Sequence, residues 1–274
     1  MQRNFQKLEF FETYYYANIV NNIIADPFPY INGIHEWYVD NEEHVFLPAF
    51  PKFSRLHGLI FHVIDGLIDE GVSDIEIDSV AFEKTYEVWI DRALKHHDFK
   101  CEGFRNWLKE EKVELDDLNE DHLHEYHQEL LLSGDLENLV NHLTQEVFHI
   151  LFANRKLLYL FNQFMAGLLQ LFFSDMPNCE SSSLLKGPGV LKRVNVPAWA
   201  KRAVFYRDRG MCSLCQKDLS GMLSSQPDLQ YDHVIPLAVG GLNDVTNIQL
   251  LCQECNSSKS DKIKPVSNIY ESWY

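Results

Sequence analysis

Four of the six cysteines stand as two tight pairs, Cys212-x-x-Cys215 and Cys252-x-x-Cys255, with 36 residues between them. Two such knuckles supply four thiolates, the number that a closed tetrahedral structural zinc site takes. The first residues, MQRNFQKLEFF, lack a basic stretch followed by an apolar core and a small-residue cleavage site. A cytoplasmic protein is therefore expected, with thiols held for metal and not for disulfides. Cys101 and Cys179 stand apart and are expected to be plain buried or linker cysteines. The gap between the pairs exceeds that of a simple zinc ribbon, so a structured insert is required. It contains YDHVIPLAVGGLNDVTNIQLL.

Charge divides the chain. Of 24 Lys and Arg and 40 Asp and Glu, residues 186–274 hold 11 and 8, a net of +3. Residues 1–185 hold the remaining 13 and 32, a net of −19. So strong an asymmetry predicts two parts of different kind. The acidic part is a poor binder of phosphate, which is gripped by Lys and Arg.

Residues 1 to about 175 read as mostly helical. Phe82, Tyr86, Trp89 and Ile90 recur at helical spacing behind Ser79 as a possible N-cap. A second helix is expected near 118–132, and a third run from Leu136 to Phe173, broken near Ala153–Asn154. Residues 27–52, rich in proline, read as loop, and the aromatic cluster at 10–20 reads as core. The apolar run 157–173 falls short of the ~20 residues a membrane span needs. It also carries Asn162, Gln163 and Gln170, so a buried or partner-facing helix is expected and no membrane. Residues 176–195 lose periodicity and gather Ser, Gly and Pro, the composition of a linker. A short helix follows, with Pro197 near its first turn and Gly210 placed to end it.

From about Val196 to Lys264 the chain resembles the HNH endonuclease family, of the ββα-metal fold. The resemblance rests on the order Arg207-Asp208, first knuckle, Asp232-His233, Pro236, Gly240-Gly241, Asn243-Asp244, Asn247, second knuckle, Asn256 and Lys259. It implies an α+β multidomain protein: an acidic, mostly α-helical domain over 1–175, a linker over 176–195, and a small zinc-stapled ββα-metal domain over 196–274. It also implies hydrolysis of phosphodiester bonds in DNA. Asp232 and Asn256 would hold the catalytic metal, His233 would be the general base, and Asn247 would brace the loop carrying His233. The family's third signature position, often histidine, is Asn256 here. A carboxylate with an amide oxygen is a hard ligand set, which suits Mg²⁺ or Mn²⁺. The zinc on Cys212, Cys215, Cys252 and Cys255 would be structural.

The residue chemistry supports these roles on its own terms. Hydrolysis needs a deprotonated water and charge compensation at phosphorus. His233 is the only histidine after residue 149, and an imidazole titrating near 6.5 can take a proton from water (about 6.5). Adjacent side chains on an extended strand point to opposite faces, so Asp232 and His233 are expected at a bend. Among the nearby cations Lys201, Arg202, Arg207, Arg209, Lys259, Lys262 and Lys264, the expected phosphate contacts are Arg207, Lys259 and Lys262.

Other clusters carry blander expectations. His122, His124 and His127 do not share one helix face, so a three-histidine metal site is geometrically poor. His96-His97 near a helix end would answer the helix dipole. The acidic domain could mediate a homodimer or bind a protein partner, recognise a DNA feature or small signal, or mask the nuclease. HNH domains joined to unrelated helical modules resemble bacterial restriction and anti-phage systems. The rival function is a non-catalytic zinc-stabilised module for nucleic-acid binding or assembly.

Overall fold

The computed structural model describes residues 7–39, 48–73, 87–114, 117–175, 184–187, 189–221, 229–266 and 268–270. The chain is mostly helical, with ten α-helices among these residues. They are α1 (Thr13–Ala25), α2 (Ile31–Val39), α3 (Arg55–Ser73), α4 (Trp89–His96), α5 (Phe104–Glu110), α6 (Glu120–Ser133), α7 (Asp135–Phe152), α8 (Arg155–Asp175), α9 (Ala198–Arg207) and α10 (Gln253–Lys259). Four short strands, β1 (Leu185–Gly187), β2 (Val190–Leu191), β3 (Gln230–His233) and β4 (Ile248–Leu251), make two separate antiparallel pairs. No helix among the described residues is long and apolar enough to cross a membrane.

The chain divides into two compact units, one of residues 1–17 and 60–148, the other of 18–59 and 149–274. In the first unit Leu94, Phe104, Leu108, Leu123, Leu139 and Leu143 are buried in the core. Helix α6 is punctuated by local chemistry. The Asn119 side chain accepts from the His122 N–H while His122 Nδ1 accepts from the Asn119 N–H, and left-handed Gly134 ends the helix. His122 is thus spent on a cap while His127 is buried, so the three histidines of this stretch do not converge. Asp91, on α4, accepts from the Phe104 N–H at 2.8 Å and from the Tyr126 hydroxyl at 2.7 Å. It thereby caps α5, whose own N-cap, Gly103, has no side chain to offer. The Ser79–Ile90 helix expectation falls mostly outside the described residues; only its end, in α4, is seen.

In the second unit the break expected at Ala153–Asn154 is present, because Asn154 Oδ1 accepts from the Leu157 N–H and starts α8. Helix α8 is the apolar run 157–173, with Leu157, Leu158, Phe161, Met165 and Leu169 buried. Two readings are corrected here. Residues 28–39, read as loop, are a 3-10 turn running into α2, since Pro27 and Pro29 sit where a helix starts and needs no N–H donor. Within the aromatic cluster Tyr16 and Val20 are buried, but Tyr14 and Tyr15 point to solvent. The stretch with linker composition contains the β1–β2 hairpin, in which Gly189 takes φ +64°. Helix α9 begins after Pro197 as expected.

Candidate active site

β3 and β4 pair in register, Asp232 opposite Gln249 and His233 opposite Ile248. Asp232 and His233, expected at a bend, are instead the last residues of extended β3, and the chain bends only after them, at Val234 and Ile235. Asn247 makes that bend rigid. Its Oδ1 accepts from the Ile235 N–H at 2.8 Å, and its Nδ2 donates to the Ile235 and Leu242 carbonyls at 3.0 and 2.9 Å. Gly241 closes against the same turn, where a Cβ would collide with the Ile235 carbonyl. Helix α10 packs on β3 and brings Asn256 to the same side. Asp232, His233 and Asn256 line one cavity of about 440 Å³, together with Lys186, Arg193 and Pro236.

His233 is 3% exposed. Asn243 Nδ2 donates to the Lys192 carbonyl at 2.9 Å, which fixes the amide so that its Oδ1 faces His233 Nε2 at 3.2 Å. That oxygen can only accept, so the proton belongs on Nε2 and the lone pair on Nδ1. Burial pushes the imidazole down to about 4, so at neutral pH the ring is uncharged and able to take a proton.

The basic residues do not fall where the sequence suggested. Lys259 is fully buried. Its Nζ donates to the His233 carbonyl at 2.8 Å and lies 2.8 Å from Asp232 Oδ2, an ion pair without the alignment of a hydrogen bond. Arg207 is also buried. It grips Asp208 through Nε and Nη2, both at 2.9 Å, and donates to the Ile248 carbonyl at 2.6 Å. Asp208 in turn accepts from the Leu250 N–H, so this pair fastens α9 to β4. Expected as phosphate contacts, Arg207 and Lys259 instead have their donors turned inward. Lys262 is exposed. The cations that line the cavity are Lys186 and Arg193, the latter with its side chain 73% exposed and Nη2 3.9 Å from Asp232 Oδ1. Both lie in or beside the stretch read as linker, where composition gave no signal for them.

A second missed contributor is Arg55, at the start of α3. Its Nη1 lies 3.2 Å from Asp244 Oδ2, with the two side chains 4% and 0% exposed. Asp244 also accepts from the Arg55 and Thr246 N–H groups and the Thr246 hydroxyl. Asn162 of α8 reaches the same Thr246 hydroxyl. The loop between Gly241 and Asn247 is thus held by Arg55 from 189 positions away and by Asn162 from 84, which no local pattern announces.

The four cysteines Cys212, Cys215, Cys252 and Cys255 converge, their Sγ atoms all within 4.8 Å of one another. Cys215 Sγ and Cys252 Sγ lie 3.7 Å apart. Tetrahedral zinc at about 2.3 Å per Zn–S bond would set sulfurs about 3.8 Å apart, while a disulfide needs about 2.05 Å. Burial and the neighbouring thiols raise Cys252 and Cys255. At Cys212 the N–H donors of Cys215, Cys252 and Leu214 outweigh burial and lower it. The cluster could hold a structural zinc.

The β3–β4 hairpin, the following helix and the cysteine cluster at their base define a small cysteine-stapled ββα unit. Residues 212–268 match the family model described as HNH endonuclease, so this part of the chain is an HNH endonuclease region. No family match falls on the N-terminal domain. No curated protein and no solved structure matches the chain. The HNH region supports a nuclease-type function, and Arg55, Asn162, Lys186 and Arg193 lie outside it.

Proposed function

We propose that the protein is a metal-dependent endonuclease that hydrolyses phosphodiester bonds in DNA, with His233 as general base. The observation that carries this reading is the His233–Asn243–Lys192 relay, which leaves the lone pair of a neutral imidazole on Nδ1. Asp232 and Asn256 would hold Mg²⁺ or Mn²⁺. The donor set fits: Asp232 Oδ2 lacks an aligned hydrogen bond, and both residues face the cavity that His233 lines. When bound, such an ion supplies Lewis-acid stabilisation of charge at phosphorus. The chain's own residues do the rest. His233 takes the proton of the attacking water at Nδ1, and Asn247 holds the turn that aims it. Lys259 fixes the His233 carbonyl and balances Asp232 from below. Arg193 and Lys186 at the cavity wall, with exposed Lys262, draw in the phosphate backbone.

Zinc on Cys212, Cys215, Cys252 and Cys255 is read as structural. The acidic helical domain is read as the module for a protein partner or a homodimer, and cutting both strands with one site per chain would favour a dimer. Its pairing with an HNH region supports a role in bacterial restriction or anti-phage defence, in the cytoplasm.

The decisive assay incubates the purified chain with supercoiled plasmid, single-stranded DNA and RNA, with Mg²⁺ or Mn²⁺ or with a chelator. Cleavage of DNA is expected with metal alone, and His233→Ala should lower the rate by about 10²–10⁴-fold. Equal rates for wild type and variant would remove His233 as the base. DNA binding without cleavage in either metal would favour the assembly-module reading.

A further inference from the structure

Away from the nuclease region, a second group of ligand-type side chains comes together in the unit of residues 1–17 and 60–148. Glu9, His97 and His142 each present one ligand atom, all within 4.8 Å of one another. We propose that these three residues form a second transition-metal site, for a divalent ion of the zinc class, which staples the segment ahead of α1 to the end of α4 and to α7. Nothing in this proposal depends on the nuclease reading.

Three observations point to a cation. First, both ring nitrogens of His97 and Nε2 of His142 are buried without a hydrogen-bond partner among the described residues. Buried polar atoms are nearly always partnered, and an orphan is costly because it gives up its water without replacement. Second, the two rings lie with centroids 4.6 Å apart and tilted by 51°, and Glu9 Oε2 stands 3.4 Å from His97 Nδ1. Bonds of ~2.0–2.1 Å to a tetrahedral ion would set such ligand atoms about 3.4 Å apart, so small side-chain rotations suffice. Third, two imidazoles and one carboxylate are the mixed nitrogen–oxygen set that suits zinc and its neighbours and not calcium or magnesium.

The surroundings hold these ligands in place. Glu146, wholly buried, accepts from the N–H groups of Glu9 and Phe10 and from the Thr13 hydroxyl at 2.7 Å. That fixes the backbone of the Glu9 segment, as outer hydrogen bonds do at metal centres. His96 Nε2 lies 3.2 Å from the Glu9 carbonyl. Lys7 takes Glu9 Oε1, which leaves Oε2 turned toward His97. Phe11 stands edge-on to His97 and Phe99 edge-on to His142.

The alternative is an ion pair between a protonated His97 and Glu9. It leaves His142 Nε2 with Glu146 Oε1 only at 3.7 Å, too long for a hydrogen bond, and it sets a charged ring against another imidazole. A metal takes one atom from each of the three groups, Glu9, His97 and His142, at once.

The test is metal stoichiometry on the full chain, in a His233→Ala background so that the nuclease site offers no imidazole. Stripped protein reloaded with Zn²⁺ and desalted should retain about two zinc per chain. His97→Gln and His142→Gln should each lose one equivalent, with an unchanged helical circular-dichroism spectrum and with thiolate-to-Co²⁺ charge transfer at the four cysteines intact. His142→Cys, which restores a zinc ligand, should regain the second equivalent and so separate a ligand role from a folding role. Retention of only one zinc by the parent, or equal retention by parent and His142→Gln, overturns the site.

Discussion

At the scale of single residues, the site is defined less by what each side chain is than by what occupies its other end. His233 could bond through either nitrogen, and Asn243 decides which. Replacing Asn243 with alanine should leave the hairpin intact but release the tautomer, with an expected loss of about 10–100-fold in kcat. Asn243→Asp should instead retain a charged acceptor for Nε2 and shift the acid limb of the pH–rate profile upward. Equal profiles for Asn243→Asp and wild type would show that Nε2 does not report to this side chain. Arg55 and Asp244 give a stability counterpart. Removing one member of a buried ion pair strands the other charge, so Arg55→Ala should cost about 3–5 kcal/mol, read from urea unfolding. The double variant Arg55→Met with Asp244→Asn should recover much of that loss.

At the scale of elements, some features could be read from the residues and others could not. The break before α8, the start of α9 after Pro197 and the convergence of the cysteines all follow from short-range chemistry: an Asn cap, a proline at a helix start, a Cys-x-x-Cys turn. The helix at 31–39 was hidden because prolines start helices as readily as they interrupt them. Tyr14 and Tyr15 show why an aromatic cluster is not yet a core: only the helical phase decides which rings go inside. The placement of Arg207 and Lys259 was not legible at all, because a cation that fastens backbone carbonyls has the same letter as one that meets solvent. Lys186 and Arg193 were missed for the converse reason, since a Gly- and Ser-rich composition masks a hairpin that lines the cavity. Gly241 tests the element argument. Its close approach to the Ile235 backbone cannot be relieved by a rotamer change, so Gly241→Ala should destabilise by at least about 2 kcal/mol and abolish cleavage. Gly66→Ala is the control, at an exposed helical position where a Cβ meets nothing within 4 Å. It should stabilise by about 0.5–1 kcal/mol. A neutral Gly241→Ala would mean that the turn after His233 is not held as described.

At the scale of the whole molecule, buried histidines should govern how stability responds to acid. Burial lowers His97, His127 and His233, the last to about 4. The unfolded chain takes up these protons near 6.5 (about 6.5), while the native state refuses them, so the unfolded state binds more protons below that pH. Stability must then fall as pH drops from about 6.5, by up to about 1.4 kcal/mol per pH unit for each histidine; for His233 the loss ends only near 4. Two effects oppose it. Burial raises Asp65 and Asp91, so protonation favours the native state there, and titration of the carboxylates relieves the self-repulsion of a chain with net charge −16. The relief of self-repulsion belongs to the ordinary carboxylate range (about 4), and the two raised aspartates stand against three lowered histidines, so between about 6.5 and 5 the histidines are expected to set the sign. The urea midpoint should therefore change little from pH 7.5 to about 6.5 and decline from there to pH 5. His127→Asn isolates one contribution away from the four cysteines and from the Glu9–His97–His142 group, because His127 lies among Asp65, Asp69 and His124. That variant should show a shallower decline over the same interval. A midpoint that stays level or rises toward pH 5 would mean that these rings reach protons in the folded state, and that the buried environment assigned to them is wrong.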